Sequence, residues 1–188
     1  MKKTTLAVAL FTASIVAGTS AFAADGTITV TGEIGGTTCS ISAGSGAGPG
    51  AGPNFQVDLL KVQKSALLNP GDTAGAKGFN IFVGGPAADC PDGTKVAVLF
   101  ESTSGAVDPT TGNLENKAPT NAANNVQVQI FDALARAPMD LRTGKASTTV
   151  EVASGLATLP FSAQYIANKG PAGAGLVRTE VQYSVTFP

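Results

Sequence analysis

Histidine and tryptophan are both absent from this chain of 188 residues. Without histidine, neither a Ser-His-Asp nor a Cys-His catalytic arrangement exists, and the commonest metal ligand is missing. A sugar-binding module usually presents a flat aromatic surface. This chain has no tryptophan and only two tyrosines, so its composition does not favour a sugar-binding module. The composition therefore gives no reason to expect an enzyme, a metal site or a cofactor.

Charged residues are scarce as well, at 13% of the chain, which is about half the usual share. When Lys2 and Lys3 are set aside as part of a leader, 10 basic residues stand against 13 acidic ones. A net charge near −3 argues against nucleic acid or an anionic membrane as the main partner. A weakly charged polar surface is typical of proteins that pack against copies of themselves, although exported monomers share it.

The chain has one long apolar run, from Leu6 to about Gly18, and two residues separate it from Lys2 and Lys3. Ala21-Phe22-Ala23 follows as a small-x-small cleavage site. This order predicts a secretory signal peptide over residues 1–23, because the apolar run is too short to span a membrane. We therefore expect an exported protein whose mature chain begins at Ala24.

Two cysteines, Cys39 and Cys90, remain in the predicted mature chain. In an exported protein an even number of cysteines favours a disulfide, here closing a loop of about 50 residues. On the chain-entropy model such a loop stabilises the fold by roughly 4 kcal/mol. Two buried free thiols are the alternative, whereas two thiols without histidine make a poor zinc site.

Short segments with alternating apolar side chains recur along the chain, separated by turn residues such as Gly84-Gly85-Pro86. Alternation with period two is typical of strands with one buried face, and this spacing predicts an antiparallel β-sandwich. A helix would fit only at 62–68, where a good N-terminal cap is missing. The apolar positions are Phe79, Ile81 and Val83; Val96, Val98 and Phe100; Val126, Val128 and Ile130; Val150 and Val152; and Leu159, Phe161, Ala163 and Tyr165.

Both ends of the mature chain show the same alternation. Leu176 to Pro188 is predicted to form a half-buried strand that runs to the last residue. Residues 27–34 form a second alternating segment. Such segments pair either with each other or with another molecule. The positions on one side of each are Val177, Thr179, Val181, Tyr183, Val185 and Phe187 at the C-terminus, and Ile28, Val30, Gly32 and Ile34 at the N-terminus.

Two further features remain without an assigned chemistry. Residues 43–53 are rich in glycine and proline and predict a flexible surface loop. The loop lacks the lysine and the Ser or Thr that a phosphate-binding loop requires. The carboxylates whose spacing could suit glycoside hydrolysis lie beside turns and are interpreted as loop residues. They are Asp89 and Asp92, and Asp132 and Asp140.

Several segments, taken in order behind a signal peptide, resemble the pilin subunits of type 1-like chaperone–usher fimbriae over the full mature length. The likeness includes the penultimate aromatic residue, which is more often tyrosine in the family and here precedes Pro188. The glycine-rich loop after the first cysteine looks like an insertion relative to the family pattern. The matching segments are Thr27 to Ile34, Thr38 to Ile41, Gly78 to Val83 followed by Cys90, Asn125 to Asp132, Leu159 to Tyr165, Gly175 as the fourteenth residue from the end, and Phe187.

The resemblance implies an immunoglobulin-like sandwich that lacks its last strand. Residues 24–35 would be a donor-strand arm and residues 36–188 the pilin domain. Ile28, Val30 and Ile34 would fill the groove of a neighbouring subunit, and Gly32 would face a shallow pocket. The groove and the chaperone-binding edge would be formed by Gly175, Val177, Val181, Tyr183, Val185 and Phe187.

The same resemblance implies the partners and the location. The chain would be delivered by a periplasmic chaperone to an outer-membrane usher, and it would join copies of itself or related pilins in a surface fimbria that supports adhesion. It names no host receptor and does not separate a major shaft subunit from a minor one. The alternative is a monomeric exported binding module whose own N-terminal strand completes its sandwich.

Overall fold

Strands dominate the regular structure of this protein. The computed structural model describes residues 39–188 except 47, 51 and 86–89. The predicted signal peptide and N-terminal arm lie outside the described residues. The strands are β1 (Ile41–Gly44), β2 (Thr73–Gly84), β3 (Lys95–Phe100), β4 (Leu114–Glu115), β5 (Val126–Asp132), β6 (Ala137–Pro138), β7 (Val150–Glu151), β8 (Leu156–Ala167) and β9 (Tyr183–Thr186).

The strands form two sheets. The larger one has the order β1-β2-β8-β5-β4, with β6 also paired to β5, and the smaller one has the order β7-β3-β9. Every strand pair is antiparallel, and the longest ladder joins β2 to β8 from Thr73↔Ile166 to Gly84↔Leu156. The predicted antiparallel β architecture is therefore confirmed. In the part of the chain described here, no helix is long and apolar enough to cross a membrane.

Local sequence explains where the chain turns. Ser154 and Gly155 have φ values of 52° and 74°, and the flanking Ala153 and Leu156 pair with each other. Two successive residues with positive φ are the requirement of a type I′ turn, which glycine meets at little cost. This turn carries the chain from β7 into β8, and so from one sheet to the other.

The hydrophobic core lies mainly on the predicted apolar positions. Phe82 and Gln127, which were expected on outer faces, are also buried, at 0% and 3% exposure. β2 and β5 are therefore covered on both faces over part of their length. The largest cluster of buried side chains includes Phe79, Ile81, Val83, Val96, Val98, Phe100, Val128, Ile130, Leu159 and Phe161.

The predicted disulfide is present. Cys39 and Cys90 are joined, with their Cα atoms 4.7 Å apart and both side chains buried. The bond ties the residue that leads toward β1 to the segment between β2 and β3. The alternative of two free thiols is therefore wrong.

Three predicted boundaries need correction. Residues 62–68 contain only one 3-10 turn, Lys64–Ala66, whose preceding residue makes no side-chain cap. The C-terminal strand spans Tyr183–Thr186 and does not run from 176 to 188, because residues 176–182 lie beside loops that provide only scattered hydrogen bonds. The glycine-rich loop begins after Gly44, since Ala43 and Gly44 complete β1.

Candidate functional site

The C-terminal segment forms one wall of the candidate site. Val177, Val181, Tyr183 and Val185 are half-buried and pack on the main core cluster. Thr179, on the same side, is half-buried as well, and the even-numbered residues between 177 and 185 are exposed. The sequence placed these four side chains on one side, and the structure keeps them there. Phe187, expected on the same side, is 54% exposed and is not among the residues packed on the core.

The backbone of this wall presents an unpaired edge. Along an antiparallel ladder, hydrogen-bonded residue pairs alternate with pairs whose backbone N–H and C=O groups point away from the partner strand. Val98 exchanges two hydrogen bonds with Ser147, at 3.0 and 2.8 Å, so its backbone faces away from β9. Its partner Val185 therefore faces away from β3, as does Tyr183. Within the described residues, the backbones of Val177, Thr179 and Val181 form no hydrogen bond either.

Gly175 starts this wall, and the structure supplies a reason for glycine. A Cβ at this position would lie 2.4 Å from the Asn121 carbonyl oxygen and 2.5 Å from the Ala123 nitrogen. The neighbouring Leu176 accepts a hydrogen bond from Ala123 N–H and donates one to the Asn121 carbonyl. The segment 121–123 thus fixes where the wall begins, and only glycine allows this approach.

A second wall, at residues 54–62, is present that the sequence patterns above did not predict. Phe55, Val57 and Leu59 are half-buried and pack on the same core cluster, and Gln56 and Asp58 between them are exposed. The period-two alternation was visible in the sequence, but the segment follows a glycine-rich loop that suggested irregular structure. None of the described residues forms a backbone hydrogen bond with 54–62.

The two walls run in opposite directions beside the core. The Tyr183 hydroxyl donates a 2.7 Å hydrogen bond to the Pro53 carbonyl, which joins the walls at one level. Val62 and Val177 both pack against a second small cluster that includes Leu67 and Ala167, which brings the walls near each other at another level. We define the groove as the strip between residues 54–62 and residues 176–187.

A continuous series of aromatic rings lies beneath the groove. Phe55 contacts Phe79, Phe79 contacts Phe161, Phe161 contacts Phe100 and Phe100 contacts Tyr183, with ring centroids 5.3 to 6.5 Å apart. The first and last rings belong to the two walls. The groove therefore has an apolar floor that suits the apolar side chains of an inserted strand.

Two polar groups interrupt this apolar lining. Burial raises the pKa of the Tyr183 phenol, so the hydroxyl stays protonated and remains a donor at neutral pH. The Thr179 Oγ1 atom is buried and finds no hydrogen-bond partner among the described residues. A buried hydroxyl without a partner is unfavourable by about 1–3 kcal/mol.

Three of the four carboxylates considered for catalysis, Asp92, Asp132 and Asp140, hold loops in place. Asp92 accepts a 2.7 Å hydrogen bond from Gly155 N–H, and Asp140 binds Arg142 through both the side chain and the backbone N–H. Asp132 accepts hydrogen bonds from the backbone N–H groups of Leu134 and Ala135, in the loop that follows β5, and from that of Thr148, which precedes β7. Asp89 lies outside the described residues, and the described part of the chain contains no acidic or cysteine cluster able to hold a metal.

Residues 59–188 match the family model for type-1 fimbrial protein, A. The chain belongs to this fimbrial family. It is 33% identical to long polar fimbria protein A of Salmonella typhimurium, over all of this chain and 97% of that protein. It is 31% identical to the type-1 fimbrial protein A chain of Escherichia coli K12, over the full length of both.

Solved pilus proteins share the fold of this fimbrial protein. A type I fimbria protein of Burkholderia pseudomallei superposes with a TM-score of 0.53 and 22% identity, over 81% of this chain and 97% of that one. The P pilus rod subunit PapA superposes with a TM-score of 0.54 and 15% identity, over 80% and 99%. The resemblance to pilins is thereby confirmed, and the two antiparallel sheets are consistent with an immunoglobulin-like sandwich.

Proposed function

We propose that this fimbrial subunit polymerises by donor-strand exchange, with residues 24–35 of one copy inserted in the groove of the next. The observation that carries the proposal is a pair of backbone edges, at 54–62 and 176–187, that no other described strand covers and that lie on either side of an apolar floor. Long open edges promote aggregation in water unless another strand covers them. The structural role agrees with family membership, because relatives of this chain are named as major fimbrial subunits.

The N-terminal arm fits the groove in length and in pattern. Residues 24–35 and residues 176–187 are each 12 residues long. Ile28, Val30 and Ile34 would point toward the aromatic floor, and the threonines between them would face solvent. Because the two walls run in opposite directions, the arm would lie antiparallel to one wall and parallel to the other. This is the mode of recognition known as β-strand addition.

Simple estimates indicate a tight joint. Each buried aliphatic side chain of the arm stabilises the joint by roughly 1.5–3 kcal/mol. Each new hydrogen bond to a wall adds on the order of 1 kcal/mol. Several contributions of both kinds make spontaneous release of the arm slow.

The exposed groove gives a physical reason why a subunit would require a chaperone before it is assembled. Before the arm of another subunit arrives, a periplasmic chaperone would cover the C-terminal edge, with Phe187 accessible to it. An outer-membrane usher would then exchange the chaperone for the arm. The expected location is a surface fimbria, where the chain assembles with other pilins. A binding role toward a host receptor has no residue assigned to it.

The test is electrophoresis of fibres sheared from cells that express the chain with a chaperone and an usher. Without boiling, the wild-type sample is expected to show a ladder of multimers, and boiling is expected to reduce it to monomer. Gly32→Leu should abolish the ladder, because the larger side chain does not fit a shallow pocket. Thr31→Leu changes the neighbouring, outward position and should keep the ladder.

A single monomer band in the unboiled wild-type sample would contradict the proposal. That result would favour a monomeric exported module whose own arm completes the sandwich. A ladder that persists in Gly32→Leu would instead argue against the shallow pocket while leaving exchange of the arm in place.

A further inference from the structure

We propose that the glycine-rich loop is a strap that holds the 54–62 wall in position, and that Tyr183 is the positioning residue at its end. The proposal rests on the proposed function in one respect, since it assigns the strap a role in shaping the groove. The strap is defined here as the described residues between 45 and 53, which leave out 47 and 51. Family membership assigns no task to this loop.

Two residues of the strap, Gly46 and Gly52, are hydrogen-bonded to the larger sheet. Ala43 N–H donates a 3.0 Å hydrogen bond to the Gly52 carbonyl, and Asn80 Nδ2 donates one of 3.0 Å to the Gly46 carbonyl. β1 is the outermost strand of that sheet. Gly84 N–H bonds to Ser40 O, so alternate residues of β1 face β2 and Ala43 faces outward. The strap therefore returns along the open edge of β1.

Gly50 shows how closely the strap approaches this edge. A Cβ on Gly50 would lie 2.3 Å from the Ala43 carbonyl oxygen, a distance that no real Cβ tolerates. A Cβ on Gly48 would have no heavy atom within 4 Å. The glycines of the loop are thus not equivalent, and Gly50 is required by contact with backbone.

The last part of the strap is fastened across the groove. Pro53 ends the strap and accepts the 2.7 Å hydrogen bond from the Tyr183 hydroxyl, which belongs to the opposite wall. Phe55, two residues later, packs on Phe79 with the ring centroids 5.4 Å apart. The wall at 54–62 has no ladder of its own among the described residues, so its position depends on its side chains and on this strap.

A fixed wall has a consequence for assembly. An incoming arm can bond to both edges only when the distance between them suits a single strand. Holding the wall in place before the arm arrives lowers the conformational cost of binding, as preorganisation generally does. Loss of the strap should therefore loosen the wall in the subunit and weaken the joint in the fibre.

The experiment measures trypsin cleavage of the mature chain, residues 24–188. Cleavage after Lys61 reports opening of the wall, and cleavage after Lys145, an exposed residue in a loop that belongs to neither wall, is the internal reference. Tyr183→Phe removes only the hydroxyl, and Gly50→Ala displaces the strap while leaving Tyr183 unchanged. Both are expected to raise the ratio of Lys61 to Lys145 cleavage by roughly 2- to 10-fold, the range that one net hydrogen bond supplies.

Matched controls are available in the same chain. Tyr165→Phe removes the hydroxyl of the other tyrosine, which makes no hydrogen bond to a described residue, and Gly48→Ala adds a methyl group where space is open. Both should leave the cleavage ratio at the wild-type value. An unchanged ratio in Tyr183→Phe and Gly50→Ala, or an equal rise in Tyr165→Phe, would overturn the proposal.

The thermal dissociation of fibres distinguishes failure of the strap from failure of donor-strand exchange. Heating unboiled fibres should convert multimers to monomer at a lower temperature in Tyr183→Phe than in wild type. If wild type forms no multimers, donor-strand exchange fails, and the cleavage ratio alone then decides whether the strap exists. If multimers form but neither the ratio nor the melting changes, the strap is wrong and the exchange stands.

Discussion

Asp132 shows at the scale of one residue how a candidate catalytic acid serves the fold. It is 4% exposed, and it accepts hydrogen bonds from the N–H groups of Leu134, Ala135 and Thr148 at 2.8 to 3.0 Å. Burial alone would raise the pKa of this carboxyl group, but the hydrogen bonds outweigh burial and the pKa is lowered. The ionised form is therefore the one that the folded protein stabilises.

This lowered pKa predicts how stability depends on pH. Since the folded pKa lies below the unfolded value near 3.9, the contribution of Asp132 is present at neutral pH and is lost as pH falls through the folded pKa. Asp132→Asn, which mimics the protonated acid, should lower the free energy of unfolding by about 1–3 kcal/mol at pH 7. Denaturant titrations at pH 7 and near pH 2 measure the difference.

The matched control is Asp58→Asn, which changes an exposed carboxylate whose one hydrogen bond to a described residue comes from the Gln56 side chain. Asp58→Asn should leave the unfolding free energy close to wild type at both pH values. A destabilisation by Asp132→Asn that is equally large at low pH would show that charge is not the reason for its effect.

At the scale of elements, the sequence predicted the strands better than it predicted what surrounds them. Period-two patterning located β2, β3, β5, β8 and β9, because a half-buried strand cannot place apolar residues otherwise. The pattern missed the burial of Phe82 and Gln127, since the outer face of each strand is covered by other parts of the chain that alternation does not report. Gln127 is satisfied there by Asp108 and Thr111, whose side chains bond to it at 2.6 and 2.9 Å.

Only one of the two walls of the groove was predicted from the sequence. The C-terminal wall follows from the alternation of Val177 to Val185, and four of its expected side chains lie where the pattern placed them. The opposite wall was missed, because the alternation of Phe55, Val57 and Leu59 follows a glycine-rich loop, and the local sequence does not show that these side chains pack on the core. Pairing across 130 residues, as between Pro53 and Tyr183, leaves no trace in the local sequence. The exposed position of Phe187 likewise depends on where β9 ends.

The start of the C-terminal wall provides a prediction at this scale. Gly175→Ala places a methyl group against the backbone of residues 121–123 and should destabilise the fold by about 1–3 kcal/mol, as overpacking generally does. Urea denaturation of the mature chain measures this change. Gly105→Ala, where no heavy atom lies within 4 Å of the new Cβ, should have little effect. Equal midpoints for the two variants would contradict the role of close backbone contact.

At the scale of the whole molecule, family membership and the groove both agree with a role in pilus assembly. The fold is that of pilus subunits, and the described residues form a sandwich with two open backbone edges beside an aromatic floor. Neither edge alone indicates assembly, because many sheets have exposed edges. The combination of two open edges beside one apolar floor and an alternating arm of matching length supports the proposal of polymerisation through a shared strand.

The most direct measurement compares the chain without residues 24–34 to the full mature chain in cells that supply a chaperone and an usher. Without its arm, the subunit should still accumulate in the periplasm, because its own groove and core are intact. It should build no filaments, since it has no strand to offer the subunit ahead of it. Filaments of normal length made from the arm-deleted chain alone would contradict donor-strand exchange as the basis of assembly.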